Sequence, residues 1–175
     1  MIIFARPTEI SLAIGFLVTV FGETIRFWGV SIAGSETRTT GAVGGTHLIM
    51  NGPFAYVRNP LYVGNMLLYA GVGIMSMALF PWLLVGAMLW FYVQYRLIVA
   101  QEEEYLQEKF GDDYREYVRN VKRFLPRLTK YVTQTPPAKS VNIREGLSSE
   151  RRTLQAISIV ALLIIVIFVL QNPQG

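Results

Sequence analysis

The sequence predicts an all-α integral membrane protein of about four transmembrane helices with one interfacial amphipathic helix. Three observations predict it. Of 175 residues, 52% are hydrophobic and only 16% are charged, against about a quarter charged in ordinary soluble domains. Residues 59–95 contain no Asp, Glu, Lys or Arg across 37 positions. Two further apolar stretches, 10–34 and 154–170, are each of a length that suits one crossing of a bilayer.

The first span covers 10–34 and is interrupted by Glu23 and Arg26. At spacing i, i+3 these fall on one helical face and can pair, and they mark the inner end of the helix. Ionisable groups within a span also commonly face a polar cavity, so a functional role stays open. The charge-free run 59–95 is too long for one crossing at about 20 residues each, so it folds back on itself. Phe80-Pro81-Trp82 lies near its middle. Proline suits the first turn of a helix and tryptophan the interface, which gives spans over 60–80 and 82–99 joined by an almost loop-free turn.

The polar segment 101–126 follows. Asp112-Asp113 suits a helix start, and Tyr114, Tyr117, Val118, Val121 and Phe124 recur at helical spacing. The other face carries Arg115, Arg119, Lys122 and Arg123, as expected of a helix lying on anionic lipid or packed on its own bundle. Residues 133–149, with Pro136-Pro137 and scattered Gly and Ser, read as a linker. The last span, 154–170, ends before Asn172-Pro173. The expected division is therefore a core over 1–132 with three spans and the interfacial helix, a linker over 133–153, and a C-terminal transmembrane helix over 154–175.

Charge orients these spans. Twelve of the sixteen Lys and Arg lie from Arg96 to Arg152, and Arg38 and Arg58 lie in the first long loop. Both regions belong on the cytoplasmic side, with both termini outside. The initial segment lacks the basic start and small-residue cleavage pattern of a removable signal peptide. With no cysteine, disulfides and thiolate sites are excluded, and a single histidine excludes a multi-histidine metal centre, so no metal site is expected. The net charge of +4 is interleaved with carboxylates beside apolar spans, which indicates topology and not nucleic-acid binding. The final span contains no G-x-x-x-G, so no helix-dimer seam is indicated and the oligomeric state stays open.

This topology brings two polar segments to one membrane face. In the first, NGPFAYVRNPLYVG at 51–64, Gly52-Pro53 and Asn59-Pro60 force turns that leave backbone amides free for a ligand. Pro60 opens the next helix, whose unpaired N–H groups favour an anion. The same pattern also fits a plain surface loop with a proline helix start. In the second, Glu102, Glu103 and Glu104 follow directly on a span. Carboxylates beside an apolar wall can hold a cation or ribose hydroxyls, and they equally describe a solvated acidic face.

LIMNGPFAYVRNPLYVG resembles the signature of the isoprenylcysteine carboxyl methyltransferase and phospholipid N-methyltransferase superfamily. The second segment is similar to that family's C-terminal motif in Glu102-Glu103, Leu106, Phe110-Gly111, Tyr114, Tyr117, Val121 and Pro126, and 22–34 resembles the helix before its binding loop. The resemblance covers roughly 15–128. It implies a pocket for S-adenosyl-L-methionine at the cytoplasmic face, the inner face of a cell membrane, in a multi-pass protein. Leu48 and Ile49 would lend backbone groups, Gly52 and Phe54 would line the pocket, and Asn59, Pro60, Leu61, Tyr62 and Glu102 would contact the cofactor. Thr46 aligns where relatives often place a histidine, and His47 is its neighbour. Arg58 would brace the loop or meet a carboxylate. With Glu102 and Glu103, which can supply a base, it forms the expected catalytic set.

Asn59 stands where the family commonly has His; it can donate and accept hydrogen bonds but cannot act as a base near neutral pH. Ile98 and Arg96 stand near the position of a substrate-binding Arg in the carboxyl methyltransferases, which counts against a carboxylate acceptor. The expected activity is methyl transfer to a lipid-like, prenylated or amine-bearing lipid acceptor among membrane lipids. The alternatives are a sterol-reductase-type enzyme using NADPH and a noncatalytic membrane scaffold.

Overall fold

The computed structural model describes residues 2–34, 47–133 and 140–172. Four α-helices account for most of them: α1 (Glu9–Ala33), α2 (Pro60–Ser76), α3 (Trp82–Asn120) and α4 (Ile143–Gln171). Short 3-10 turns occupy Ile2–Phe4 and Gly52–Ala55, and there is no strand among the described residues. The all-α membrane fold is as the composition predicts.

Each helix boundary has a local cause. α1 opens with a reciprocal cap: the Ser11 N–H donates to Thr8 Oγ1 at 3.1 Å and the Thr8 N–H to Ser11 Oγ at 2.9 Å. α2 opens on Pro60, whose missing N–H costs nothing in a first turn. It stops at Ser76 and not at 80, because Met77 and Leu79 take positive φ values of 50° and 48° and break the helical ladder. The connection is thus 77–81, longer than the expected near-absent loop, and α3 begins at Trp82 directly after Pro81 as expected. α4 begins at Ile143, well before its apolar stretch, where the Glu145 N–H donates to Asn142 Oδ1 at 3.2 Å. The second half of the expected linker, 143–153, is therefore helix.

Three of the helices, α1, α3 and α4, are long and apolar enough to cross a membrane. α2 has 17 residues, about 25 Å at 1.5 Å per residue, a turn or so short of the ~30 Å hydrocarbon core. The apolar part of α3 ends at Ala100. From Gln101 to Asn120 the helix carries ten Asp, Glu, Lys and Arg residues and lies outside the membrane-spanning segment. At Gly111 (φ 54°, ψ −120°) its backbone leaves helical geometry, so 112–120 is a separate helical stretch, at the position expected of the interfacial helix.

The chain forms two compact units, and each helix contributes residues to both. The first comprises residues 1–24, 64–93 and 151–175. Within it α1 and α2 touch backbone to backbone: a Cβ on Gly15 would lie 2.5 Å from Gly71 O, and one on Gly71 would lie 2.2 Å from Thr19 Oγ1. Small residues give this close approach where lipid supplies no hydrophobic drive. Thr19 satisfies its hydroxyl on Gly15 O at 2.8 Å. Tyr69 stacks on Phe91 with centroids 4.4 Å apart.

The second unit comprises residues 25–63 and 94–150 and contains both polar motifs. Its core is Met50, Ala55, Tyr114, Tyr117, Val121 and Tyr131, with Leu48, Tyr56, Leu106 and Phe110 packed around it. Tyr114, Tyr117 and Val121 are the apolar face predicted for the helix after Asp112-Asp113, and Arg115 and Arg119 on its other face are exposed.

Candidate functional site

The site is built from the loop 47–59, the first turn of α2, the part of α3 after Ala100, and the segment 121–131. The loop turns at Gly52, whose φ of 59° suits glycine, and Gly52–Ala55 make one 3-10 turn. The segment 121–131 is laid along the loop through main-chain atoms. The Arg58 N–H donates to Lys122 O at 2.9 Å, the Arg127 N–H to Tyr56 O at 2.8 Å, and the Tyr131 N–H to Ala55 O at 3.0 Å. Tyr117 Oη donates to Phe54 O at 2.7 Å, and Asn59 Nδ2 donates to Arg123 O at 3.1 Å. The loop's polar backbone is thus largely occupied by protein, and the free amides expected in it are fewer than its turn signals implied.

At the start of α2, Pro60 is fully buried and Tyr62 turns toward α3. Its hydroxyl donates to Glu102 Oε1 at 2.7 Å, and its ring lies 4.7 Å from that of Tyr95, centroid to centroid. This bond joins the two motifs across forty residues of sequence. Burial raises the Glu102 pKa above the ordinary carboxylate range and neighbouring Glu103 raises it further, while the Tyr62 hydrogen bond works against both.

Glu103 faces two guanidinium groups. Arg123 clamps it in a fork, Nε to Oε1 at 2.9 Å and Nη2 to Oε2, and Arg58 Nη2 approaches Oε1 at 3.3 Å. The Arg58 side chain is only 9% exposed, and its Nε and Nη1 meet no hydrogen-bond acceptor among the described residues. Two cations against one carboxylate leave this corner net positive. Burial pushes the Tyr114 hydroxyl beside it up to about 12, with Glu103 adding to the rise and Arg58 and Arg123 opposing it.

The structure brings together Arg58, Glu102, Glu103, Asn59, Pro60 and Tyr62. Gly52, Phe54, Leu48, Ile49 and Leu61 lie in the same unit, the last four half-buried. His47 is exposed, and Thr46 lies outside the described residues. Arg123 was expected on the solvent face of the interfacial helix. It lies instead beyond the end of that helix at Asn120, where helical periodicity no longer sets its direction, and it turns in to Glu103. Arg26, expected on one helical face with Glu23 and with a functional role open, also donates from Nη2 to Glu150 Oε2 on α4 at 2.7 Å, a partner that sequence spacing does not show.

The phospholipid methyltransferase family's model matches residues 10–113. Among curated proteins, the cobalt-zinc-cadmium resistance protein CzcN of Cupriavidus metallidurans is 30% identical over 121 residues, 69% of this chain and 51% of that protein. The protein-S-isoprenylcysteine O-methyltransferase of Schizosaccharomyces pombe is 34% identical over 79 residues, 45% of this chain and 33% of that protein. The nickel-cobalt-cadmium resistance protein NccN of Alcaligenes xylosoxydans xylosoxydans is 26% identical over 125 residues, 71% of this chain and 54% of that protein. The chain spans about half or less of the length of the curated relatives it matches. More than half of its residues match the family's model, and that stretch contains both the loop with Arg58, Asn59 and Tyr62 and the Glu102–Glu103 pair: this membrane protein belongs to the phospholipid methyltransferase family.

Proposed function

We propose that the protein is an integral-membrane methyltransferase that uses S-adenosyl-L-methionine to methylate a lipid-like or lipid-modified acceptor at the cytoplasmic face. The observation that carries the reading is the Tyr62–Glu102 hydrogen bond, which joins the two family motifs at one place beside the spans. The family match and the similarity to a protein-S-isoprenylcysteine O-methyltransferase support it.

The residues present fit a cationic, carboxylate-bearing cofactor. Arg58 offers two buried donors without an acceptor, which suit a carboxylate. Tyr62 and Tyr95 offer aromatic rings and Glu102 a half-buried carboxylate, which suit a sulfonium or ribose hydroxyls. When bound, S-adenosyl-L-methionine supplies a methyl group on a positively charged sulfur.

The protein's part is positioning and exclusion of water. Holding two reactants in line can contribute about 7–11 kcal/mol of the barrier reduction. Arg123 and Arg58 fix Glu103 from two sides, Tyr62 fixes Glu102, and the main-chain bonds of 121–131 fix the loop between them. For an amine acceptor, Glu102 is the group placed to take a proton, because burial raises its affinity for one. A carboxylate or thiolate acceptor would arrive ionised and need no base. The names of CzcN and NccN refer to metal resistance. The family match and the similarity to a protein-S-isoprenylcysteine O-methyltransferase make modification of a lipid-like or lipid-modified acceptor the better-supported role.

Calorimetric titration of S-adenosylhomocysteine into the detergent-purified chain tests the proposal, alongside Tyr62→Phe and Glu102→Gln variants that elute as the parent does. The parent binds, and each variant loses tenfold or more, in line with about 1.5–3 kcal/mol for a hydrogen bond to a charged group. A parent that ignores S-adenosylhomocysteine refutes the reading, and one that binds NADPH instead moves the assignment to a reductase.

A further inference from the structure

The last helix lies beyond the residues that match the family, 10–113, yet its first two turns reach into the unit that holds the site. There they grip the end of α1. Arg26 Nη2 donates to Glu150 Oε2 at 2.7 Å, with the two side chains 13% and 1% exposed. The Asn142 N–H donates to Ser31 O at 2.7 Å. A Cβ on Gly146 would lie 2.2 Å from Ser31 Oγ, so the two helices run in close contact at that point.

The opposite flank of the same α1 turns bears on the binding loop. A Cβ on Gly52 would lie 2.1 Å from Ile32 Cδ1, and one on Gly29 would lie 2.8 Å from Leu61 Cδ2. The Trp28 and Tyr56 rings lie 6.2 Å apart. The end of α1 is thus held between α4 on one side and the loop with the first turn of α2 on the other.

A carboxylate buried to 1% exposure is costly unless paired, and a paired one tolerates few alternative registers. Sliding α4 by one turn would move Glu150 about 5.4 Å along the axis and break its bond to Arg26.

We propose that Glu150 is a positioning residue for the binding loop: through Arg26 it fixes the register of the last two turns of α1, and these hold Gly52, Tyr56 and Leu61 in place. Its effect on ligand affinity rests on the methyl-donor reading above; its effect on the loop does not. Glu150 touches no reacting atom and acts only through α1.

The test uses the full chain with Glu150→Gln, Arg26→Lys and the charge-exchanged double variant R26E/E150R. Three readouts are taken: thermal midpoint, S-adenosylhomocysteine affinity, and hydrogen exchange of the amides at 54–58. The expected result is about tenfold weaker binding and at least tenfold faster loop exchange in Glu150→Gln, with Arg26→Lys changed in the same direction and the double variant recovering part of both. Should Glu150→Gln not fold, the Arg26→Lys and exchanged variants carry the same comparison. Loop exchange at the parent rate in variants with a lowered thermal midpoint overturns the proposal, since Glu150 would then be a structural anchor only. If the parent fails to bind S-adenosylhomocysteine while the loop exchanges faster in the variants, the donor reading falls and the positioning role stands.

Discussion

Replacing Glu103 by Gln removes one carboxylate from between two guanidinium groups without changing its shape. Arg58 then loses the acceptor of Nη2, and its Nε and Nη1 have no acceptor among the described residues in the parent, so a side chain 9% exposed is left with its charge uncompensated. Breaking a buried ion pair from one side typically costs about 3–5 kcal/mol. Arg123 is 28% exposed and can turn to water, so the lower end applies, about 3 kcal/mol. For a chain of this size that lowers the thermal midpoint by roughly 6–12 °C. Arg123→Gln is milder, about 1–2 kcal/mol, because Glu103 keeps Arg58 at 3.3 Å. The double variant should cost less than the sum of the two by about 1 kcal/mol, since removing Arg123 also relieves the repulsion that Glu103→Gln creates. Thermal unfolding in detergent, followed by intrinsic fluorescence, measures all three. A Glu103→Gln midpoint within about 1 °C of the parent, or three strictly additive values, would show that the guanidinium groups are solvated and refute the reasoning.

Gly52→Ala should destabilise the loop by about 1–3 kcal/mol, because a Cβ at φ 59° is strained and would lie 2.1 Å from Ile32 Cδ1; faster proteolysis within 47–59 would report it. Tyr117→Phe removes the donor to Phe54 O at 2.7 Å and leaves that carbonyl without it, for a loss of about 1–2 kcal/mol read from the thermal midpoint. With an amine acceptor, the rate should fall as pH drops through the raised pKa of Glu102, at a pH above the ordinary carboxylate range, because the base must be ionised to take a proton. The stability sign is opposite: the folded state holds that proton more tightly than the unfolded chain, so ionising Glu102 weakens the fold as pH rises. A pH–rate profile whose acid limb survives in Glu102→Gln would assign the limb to another group.

Much of this architecture is legible in the sequence because lipid punishes charge so heavily. The charge-free run 59–95 and the stretch 154–170 declare helices α2, α3 and α4, and the tyrosine spacing after Asp112 declares the face that packs inward. The reading goes astray where local backbone outweighs hydropathy. Positive φ values at Met77 and Leu79 end α2 at Ser76, although the residues beyond are as apolar as those before. Asn142 starts α4 in a polar stretch that composition assigns to a linker. At the site, Tyr62 and Glu102 were legible as members of two motifs, but their bond across forty residues was not. Arg123 sits where the helix has ended, and only the tertiary position of Glu103 decides that it faces inward.

The attachment of 121–131 to the loop has an evolutionary consequence. Three of its bonds join one main chain to another, and a fourth is accepted by its Arg123 carbonyl from Asn59 Nδ2. Because those contacts do not depend on which side chains stand at 54–58, that wall can accept new residues while the frame stays closed. A lineage can therefore change the residues at 54–58 one at a time without first having to rebuild the backbone frame that holds them.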